Sequence, residues 1–259
     1  MPQLYETVYM QYKHDPDYVD FGFKSVKSKL KTGLVHELFS KVSNQYDLMN
    51  DVMSLGLHRS WKNSFVDKLE LRPNMNILDL AGGTGDIAIR ISRKKSYLKP
   101  CLTVCDLTYD MVAQGKQKAT NQGILDINWQ IGNAEQLPYA DQSFDRVTIT
   151  FGLRNITDKN KALTEIARVL KPNGTLFCLE FMPPEGIIKP IYDLYSFHLI
   201  PFIGEHIAKD REAYQYLVES IRQFPKPDIL RNIMLEQGFL TCSYEKWTGG
   251  IVALHKAMR

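Results

Sequence analysis

The chain has 259 residues, 44% hydrophobic and 24% charged, which is enough for one substantial core and too little for two full-sized enzymatic domains. Its formal charge of +3 is spread through mixed-sign sequence without a long Lys/Arg run, so nucleic acid is not an expected partner. The four cysteines, Cys101, Cys105, Cys178 and Cys242, lack paired CxxC spacing and fall in apolar stretches. They read as buried thiols of a reducing compartment, with no metal expected; a disulfide or metal role for Cys101 and Cys105 is the alternative.

The first twenty residues carry Glu6, Asp15, Asp17 and Asp20 and no apolar core, which does not fit a signal peptide or a mitochondrial presequence. A bacterial cytoplasmic protein, in peripheral contact with the inner membrane, is the expectation; a trimmed mitochondrial form on the matrix face would look the same. Residues 32–68 show helical periodicity, as at Leu34, Leu38 and Val42, and should cap one end of the domain.

From about residue 75, strand and helix patterns alternate, which implies a parallel sheet. Asn76 to Leu80 is an apolar run ending in a glycine loop, and Asp86 to Ser92 is helical. Cys101 to Leu107, Ile127 to Gly132, Phe144 to Phe151 and Thr175 to Phe181 are further strands, with helices at Asp110 to Gln122 and Asp158 to Leu170. Thr157 or Asp158 is the N-cap of the latter, and Lys171-Pro-Asn-Gly174 stops it.

After Pro183-Pro184, the segment to Pro227 is apolar and aromatic and reads as a lid insertion, interrupted too often by charge and proline to span a membrane. Asp228 to Gln237 is a helix closed by Gly238. Phe239 to Trp247 and Ile251 to Lys256 form a terminal hairpin around Thr-Gly-Gly. The division is a single domain: a helical cap (1–72), a cofactor-binding core (73–182), a lid (183–227), and a C-terminal helix and hairpin (228–259). The α/β class, with a parallel sheet finished by an antiparallel hairpin, is that of Rossmann-like class I methyltransferases.

The loop Leu78-Asp-Leu-Ala-Gly-Gly-Thr-Gly-Asp-Ile87 lies between strand and helix, where Gly83 and Gly85 let a ligand approach the backbone and free N–H groups. Gly83, Gly85 and Ala88 also satisfy the dinucleotide pattern, so a nicotinamide oxidoreductase is the rival enzyme. Charge separates the two: Asp79 and Asp86 would repel a pyrophosphate, whereas S-adenosylmethionine carries an ammonium and a sulfonium. Asp106, ending the second strand, can accept from ribose hydroxyls, and Gly132-Asn-Ala-Glu135 offers polar groups to an adenine edge. The bland alternatives are a turn for Asn133, a cap for Asp106 and a buried structural acid for Asp79.

Tyr46-Asp-Leu-Met-Asn-Asp-Val-Met-Ser-Leu-Gly-Leu-His-Arg-Ser-Trp61 resembles a signature of the ubiquinone/menaquinone-biosynthesis C-methyltransferase family. The resemblance continues through Phe21-Gly-Phe, Ala81-Gly-Gly-Thr-Gly-Asp86, Phe151-Gly-Leu-Arg-Asn155, Tyr195-Ser-Phe-His198 and Tyr214-Gln-Tyr-Leu-Val-Glu-Ser220, nearly the whole chain. A second signature resembles Arg168-Val-Leu-Lys-Pro-Asn-Gly174 with Leu179-Glu-Phe181, but Asn173 replaces a glycine and Met182 a serine. Thr150 stands where many relatives have serine, and Lys209 where many have asparagine. The resemblance implies Thr84, Asp106, Asn133, Ala134 and Thr150 as cofactor contacts.

It also implies a polyprenyl quinol as substrate, methylated on a ring carbon that becomes electron-rich as the phenol loses its proton. A free phenol titrates at about 10, and a neighbouring cation would lower that. Arg154 is the candidate phenolate stabiliser, with a surface salt bridge to Asp158 as its alternative role. The proton acceptor is a water held by Arg154 and Asn155, or a side chain of the 46–61 signature such as His58, Tyr46 or Asp47. His58 could instead brace a helix, and Tyr46, Met49 and Trp61 could be core packing. The apolar stretch 187–207 would house a polyprenyl tail or meet a membrane. A homodimer and a quinone-biosynthesis complex are both compatible with the sequence. The competing functions are methylation of another lipid and a non-catalytic cofactor-binding subunit.

Overall fold

The described residues of the computed structural model are 17–42, 51, 54–186, 196 and 211–259. They begin with a short antiparallel hairpin, β1 (Tyr18–Phe21) and β2 (Lys24–Lys27), which runs into α1 (Ser28–Val42). After α2 (Leu57–Asp67) come β3 (Asn76–Leu80), α3 (Asp86–Lys95), β4 (Cys101–Asp106), α4 (Tyr109–Asn121) and β5 (Ile127–Ile131). Next are β6 (Phe144–Thr150), α5 (Lys159–Val169) and β7 (Leu170–Phe181). The chain closes with α6 (Arg211–Gln223), α7 (Pro227–Glu236), β8 (Thr241–Trp247) and β9 (Val252–Met258).

The seven-stranded sheet has the order β5-β4-β3-β6-β7-β9-β8. β3 to β7 pair in parallel, and β9 joins β7 and β8 antiparallel. The order reverses between β3 and β6, and ligands of open α/β sheets bind at the carboxyl ends of strands beside such a switch point. The hairpin β1-β2 was not expected from the helical periodicity further on. It forms its own two-stranded sheet and docks on α6, where Phe21 stacks on Tyr216 at 4.4 Å and the Phe23 N–H donates to Glu219 Oε2 at 2.9 Å.

Alternation along the strands builds two cores. Ile77, Val104, Phe177, Leu179 and Phe181 face one side of the sheet and meet Phe65, Ile91, Tyr214 and Leu217 from α2, α3 and α6. Leu78, Leu80, Val147, Ile149 and Cys178 face the other and meet Leu163, Ile166, Leu230 and Met234 from α5 and α7. Both faces are covered, which is why these strands read as continuous apolar runs. α5 starts where expected, with Asp158 Oδ1 as its N-cap accepting from the Lys161 N–H at 3.0 Å. Asn173, at the family's glycine position, takes φ +63°, a left-handed conformation that asparagine tolerates.

All four cysteines are free, and Cys105, Cys178 and Cys242 are buried. Cys101 is exposed, which corrects the expectation: as the first residue of β4 it lies at the amino edge of the sheet, before either core covers the strand.

On β5, Trp129 fills the gap between two helices because neither neighbour has a side chain. A Cβ on Gly85 would come within 2.4 Å of its ring, and one on Gly115 of α4 within 2.5 Å of the ring and 2.8 Å of the Thr84 carbonyl carbon. Gly115→Ala is therefore expected to destabilise the protein by about 1–3 kcal/mol through overpacking against backbone. The check is a lowered urea midpoint with an unchanged m-value.

Candidate active site

A cavity of about 780 Å³, counted with its open mouth, lies at the carboxyl edge of β3 to β6. Its floor is the glycine loop, with Ala81 and Gly83, and its sides are Asp106, Asn133, Ala134 and Phe151 at the ends of the neighbouring strands. Ala81 (φ +50°) and Phe151 (φ +58°) both occupy the left-handed region, a strained conformation for a bulky side chain, as the chain leaves β3 and β6.

Asp106 organises one side. Its Oδ2 accepts from the Gly83 N–H at 2.8 Å and its Oδ1 from the Thr108 N–H at 2.9 Å. The carboxylate borders the cavity, where a vicinal diol could donate to it. Burial pushes this carboxyl above its ordinary value, opposed by the Thr108 and Gly83 amides. Asn133 uses Oδ1 to close a turn on the Glu135 N–H at 2.9 Å, and it lines the cavity as well, so the turn and ligand roles coexist.

Other residues expected at the cofactor stand behind this wall. Strand parity turns Asp79 away from the cavity, where Oδ1 accepts from Thr148 Oγ1 at 2.8 Å and the Ala88 N–H supplies another bond. Its Oδ2 is buried without a partner among the described residues, and desolvation pushes the carboxyl up to about 7. Asp79 is thus a support beneath the loop and not a facing anion. Asp86 does not present a free charge to the loop either, because Lys62 at 2.9 Å and Arg90 at 3.0 Å hold it. Its carboxyl falls well below the usual range because these attractions outweigh burial. The charge argument against a pyrophosphate therefore loses both its carboxylates at this loop. Thr84, Gly85 and Thr150 do not line the cavity; Gly85 makes room for Trp129, and Thr150 Oγ1 is buried without a partner among the described residues.

A pH prediction follows from Asp79. Its folded value near 7 lies above the unfolded value of about 3.9, so its contribution is full below pH ~4 and is lost as pH rises through about 7. Asp79→Asn removes this titration. Urea midpoints should show the parent losing stability relative to the variant between pH ~4 and 7, with a slope of up to about 1.4 kcal/mol per pH unit.

Of the expected catalytic residues, Asn155 lines the cavity and accepts from Tyr216 Oη at 3.2 Å. Arg154 is buried beside a second cavity, and its partner is not Asp158. Nη1 donates to Glu180 Oε1 at 2.7 Å and to the Phe151 carbonyl at 2.6 Å, because the turn after β6 points it across β7. Arg154 Nε is buried with no partner among the described residues.

His58, on α2, lines neither cavity; its Nε2 lies 3.0 Å from Asp51 Oδ1, and its backbone N–H donates to Ser54 Oγ at 3.1 Å. Burial, then Lys62, push the imidazole down to about 4. Trp61 is core, packing edge-on against Phe181 at 5.9 Å and donating to Thr248 Oγ1 at 2.8 Å. Tyr46, Asp47, Met49, Asn50, Lys209 and nearly all of the 187–207 stretch lie outside the described residues.

Sequence reasoning missed α1 as a wall. Thr32, Val35, His36 and Phe39 close over the cavity, and their i, i+3, i+4, i+7 spacing is the signal that could have found them. Thr32 Oγ1 lies 3.0 Å from Thr157 Oγ1, tying α1 to the segment before α5. Among the described residues there is no cluster of three or more His, Cys, Asp or Glu able to hold a metal, and no helix long and apolar enough to cross a membrane.

The cavity suits a nucleoside: a diol acceptor in Asp106, apolar walls in Leu107, Met111 and Phe151, and open space above Gly83, where an added Cβ meets nothing within 4 Å. With the strand order and terminal antiparallel pair, it defines a class I S-adenosylmethionine-dependent methyltransferase. Solved structures share the fold at low identity. A methyltransferase from Haloferax volcanii, solved with its Trm112 activator, has a TM-score of 0.63 at 16% identity, covering 86% of this chain and 96% of that chain. An S-adenosylmethionine-dependent methyltransferase from Aquifex aeolicus has a TM-score of 0.57 at 17% identity, covering 76% and 88%.

The chain belongs to the ubiE/COQ5 methyltransferase family, whose model matches residues 25–259. The ubiquinone/menaquinone biosynthesis C-methyltransferase UbiE of Rickettsia rickettsii is 48% identical over 92% of this chain and 97% of its own length. That of Pectobacterium atrosepticum is 47% identical over 93% and 96%.

Proposed function

We infer that this methyltransferase places a methyl group from S-adenosylmethionine on a ring carbon of a polyprenyl benzoquinol or demethylmenaquinol, in ubiquinone/menaquinone biosynthesis. The observation that carries this reading is identity of 45 to 48% with curated relatives of that activity, sustained over more than nine-tenths of the chain. The site is consistent with it. Asp106 would hold the ribose, Asn133 and Ala134 the adenine side, and Gly83 would let the backbone approach the cofactor.

The bound cofactor supplies an electrophilic methyl group on a positively charged sulfur. What the chain must provide is an electron-rich acceptor ring in a site with little water. Asn155 reaches the cofactor cavity and can orient a ring hydroxyl. Arg154 is its covalent neighbour, with Nε still to be satisfied, and is suited to stabilising a phenolate through that donor. Because a polyprenyl substrate resides in a bilayer, we place the enzyme's working position at a membrane face, which liposome flotation would test.

The deciding experiment is methyl transfer to a short-tailed demethylquinone, run with and without reductant. Product only under reduction supports a quinol acceptor. Cofactor binding without product on any quinol would instead favour another lipid or a non-catalytic subunit, and calorimetry should show binding of S-adenosylhomocysteine and none of NAD.

A further inference from the structure

Behind the Asn155 wall lies a second cavity of about 300 Å³, counted with its open mouth, lined by Asp20, Lys31, Arg154, Lys159, Tyr216 and Ser220. Three cationic side chains line this small space. Lys31 is only 3% exposed, and it lines this space together with Lys159. Lys159 Nζ also donates to the Ile156 carbonyl at 3.2 Å.

Two ammonium groups in one small buried space repel each other, which favours loss of the proton from one of them. Lys159, with a carbonyl acceptor, is the better ammonium, which leaves Lys31 as the amine. The position also adjoins the first site. Lys31 precedes Thr32, and Arg154 precedes Asn155; the second member of each pair lines the cofactor cavity while the first lines this one.

We propose that Lys31, paired with Lys159 in this cavity, takes the phenolic proton of the acceptor ring, with Asn155 and Arg154 holding the ring between the two cavities. The inference rests on the quinol reading above. The phenolic O–H bond breaks, its electron pair stays on oxygen, and an N–H bond forms on Lys31. As the ring carbon bonds to the methyl group, the C–S bond breaks with its pair on sulfur. The ring C–H then breaks, its pair restores the aromatic ring and its proton goes to water. Lys31 returns its proton to the oxygen, so each turnover releases one proton.

The electrostatics agree. Burial, then Lys159, push Lys31 down to about 7, while Asp20 of β1 and Glu135 of the loop after β5 pull it up. Burial also lowers Lys159, against Asp20, Glu180, Asp158 and Glu135. Arg154 is neutralised by Glu180, and Tyr216, raised to about 12 chiefly by burial, stays protonated.

The test is the pH profile of methyl transfer to a reduced short-tailed demethylquinone, for the full chain and three variants. For the parent, kcat/KM should rise with pH through about 7. Lys31→Arg stays charged and cannot take up a proton, and should lose roughly 10²–10⁴ in kcat with unchanged Kd for S-adenosylhomocysteine. Lys31→Met should lose as much. Lys159→Met removes the partner that lowers Lys31 and should move the limb upward by about one pH unit or more, a displacement that a merely structural role would not produce.

The ¹⁵N resonance of Lys31 Nζ, identified by its loss in Lys31→Arg, gives a readout without turnover: its midpoint should lie near 7 and rise in Lys159→Met. An unmoved limb in Lys159→Met, full activity in Lys31→Arg, or a Lys31 midpoint at the ordinary lysine value would overturn the assignment. A parent protein that binds S-adenosylhomocysteine but methylates no quinol would overturn the functional reading first, and this assignment with it.

Discussion

Replacing Asp106 with alanine is expected to weaken S-adenosylhomocysteine binding roughly 100-fold, about 3 kcal/mol, measured by calorimetry. One carboxylate does two jobs. It accepts from the Gly83 and Thr108 amides, which fixes the loops after β3 and β4, and it borders the cavity. Two hydrogen bonds from ribose hydroxyls to this carboxylate, at about 1.5 kcal/mol or more each, would account for the loss. Asp106→Asn should be milder for the hydroxyls. It should nonetheless disturb the loops, because one amide N–H would then face an NH₂ donor. Binding by Asp106→Ala within about threefold of the parent would show that the diol is held elsewhere.

The second large effect concerns Arg154 and Glu180. Their side chains are 3% and 0% exposed, and Glu180 also accepts from the Arg154 and Phe181 backbone N–H groups at 3.2 and 2.9 Å. Glu180→Leu leaves a buried guanidinium with one carbonyl acceptor, Phe151, and should destabilise the protein by about 3–5 kcal/mol. Arg154→Met alone should cost a similar amount, by stranding the carboxylate. The double variant removes both charges and should lose clearly less than the two single losses added together, the remaining cost coming from the Arg154 and Phe181 N–H groups that lose Glu180, which gives a large coupling in a double-mutant cycle by chemical denaturation. Because that variant is folded, it also isolates chemistry from stability: its kcat should remain about 10²–10³ below the parent if Arg154 Nε stabilises the phenolate. Additive losses would show that the ion pair does not act as one element.

The elements of the sheet were legible because local pattern and burial agree there. Asn76–Leu80 is an uninterrupted apolar run bounded by turn residues, and β3 has those bounds; Asp158 announces α5 by its side chain alone. Asp106 and Asn133 were legible at the site because a strand end followed by a glycine or a turn marks the carboxyl edge.

What was not legible depends on side-chain direction and distant partners. Asp79 and Asp106 both sit near strand ends beside the glycine loop, yet parity buries one under α3 and turns the other into the cavity. Glu180 lies 26 residues beyond Arg154 and shares no local pattern with it. The nearby Asp158 was the plausible partner in sequence and caps a helix instead. The β1-β2 hairpin, four residues per strand, is too short to carry a periodic signal.

Helix α1 is one rigid element with consecutive residues committed to different cavities: Thr32 borders the nucleoside side and Lys31 the cationic side. Occupying either cavity restrains the same backbone, and the Thr32–Thr157 hydroxyl contact carries that restraint to the start of α5, next to Lys159. If the acceptor ring occupies the second cavity as proposed, the first ligand to arrive would meet part of the ordering cost for the second. Thermodynamic reciprocity would then make the two affinities rise together, an expectation that calorimetry of S-adenosylhomocysteine with and without a quinol would check.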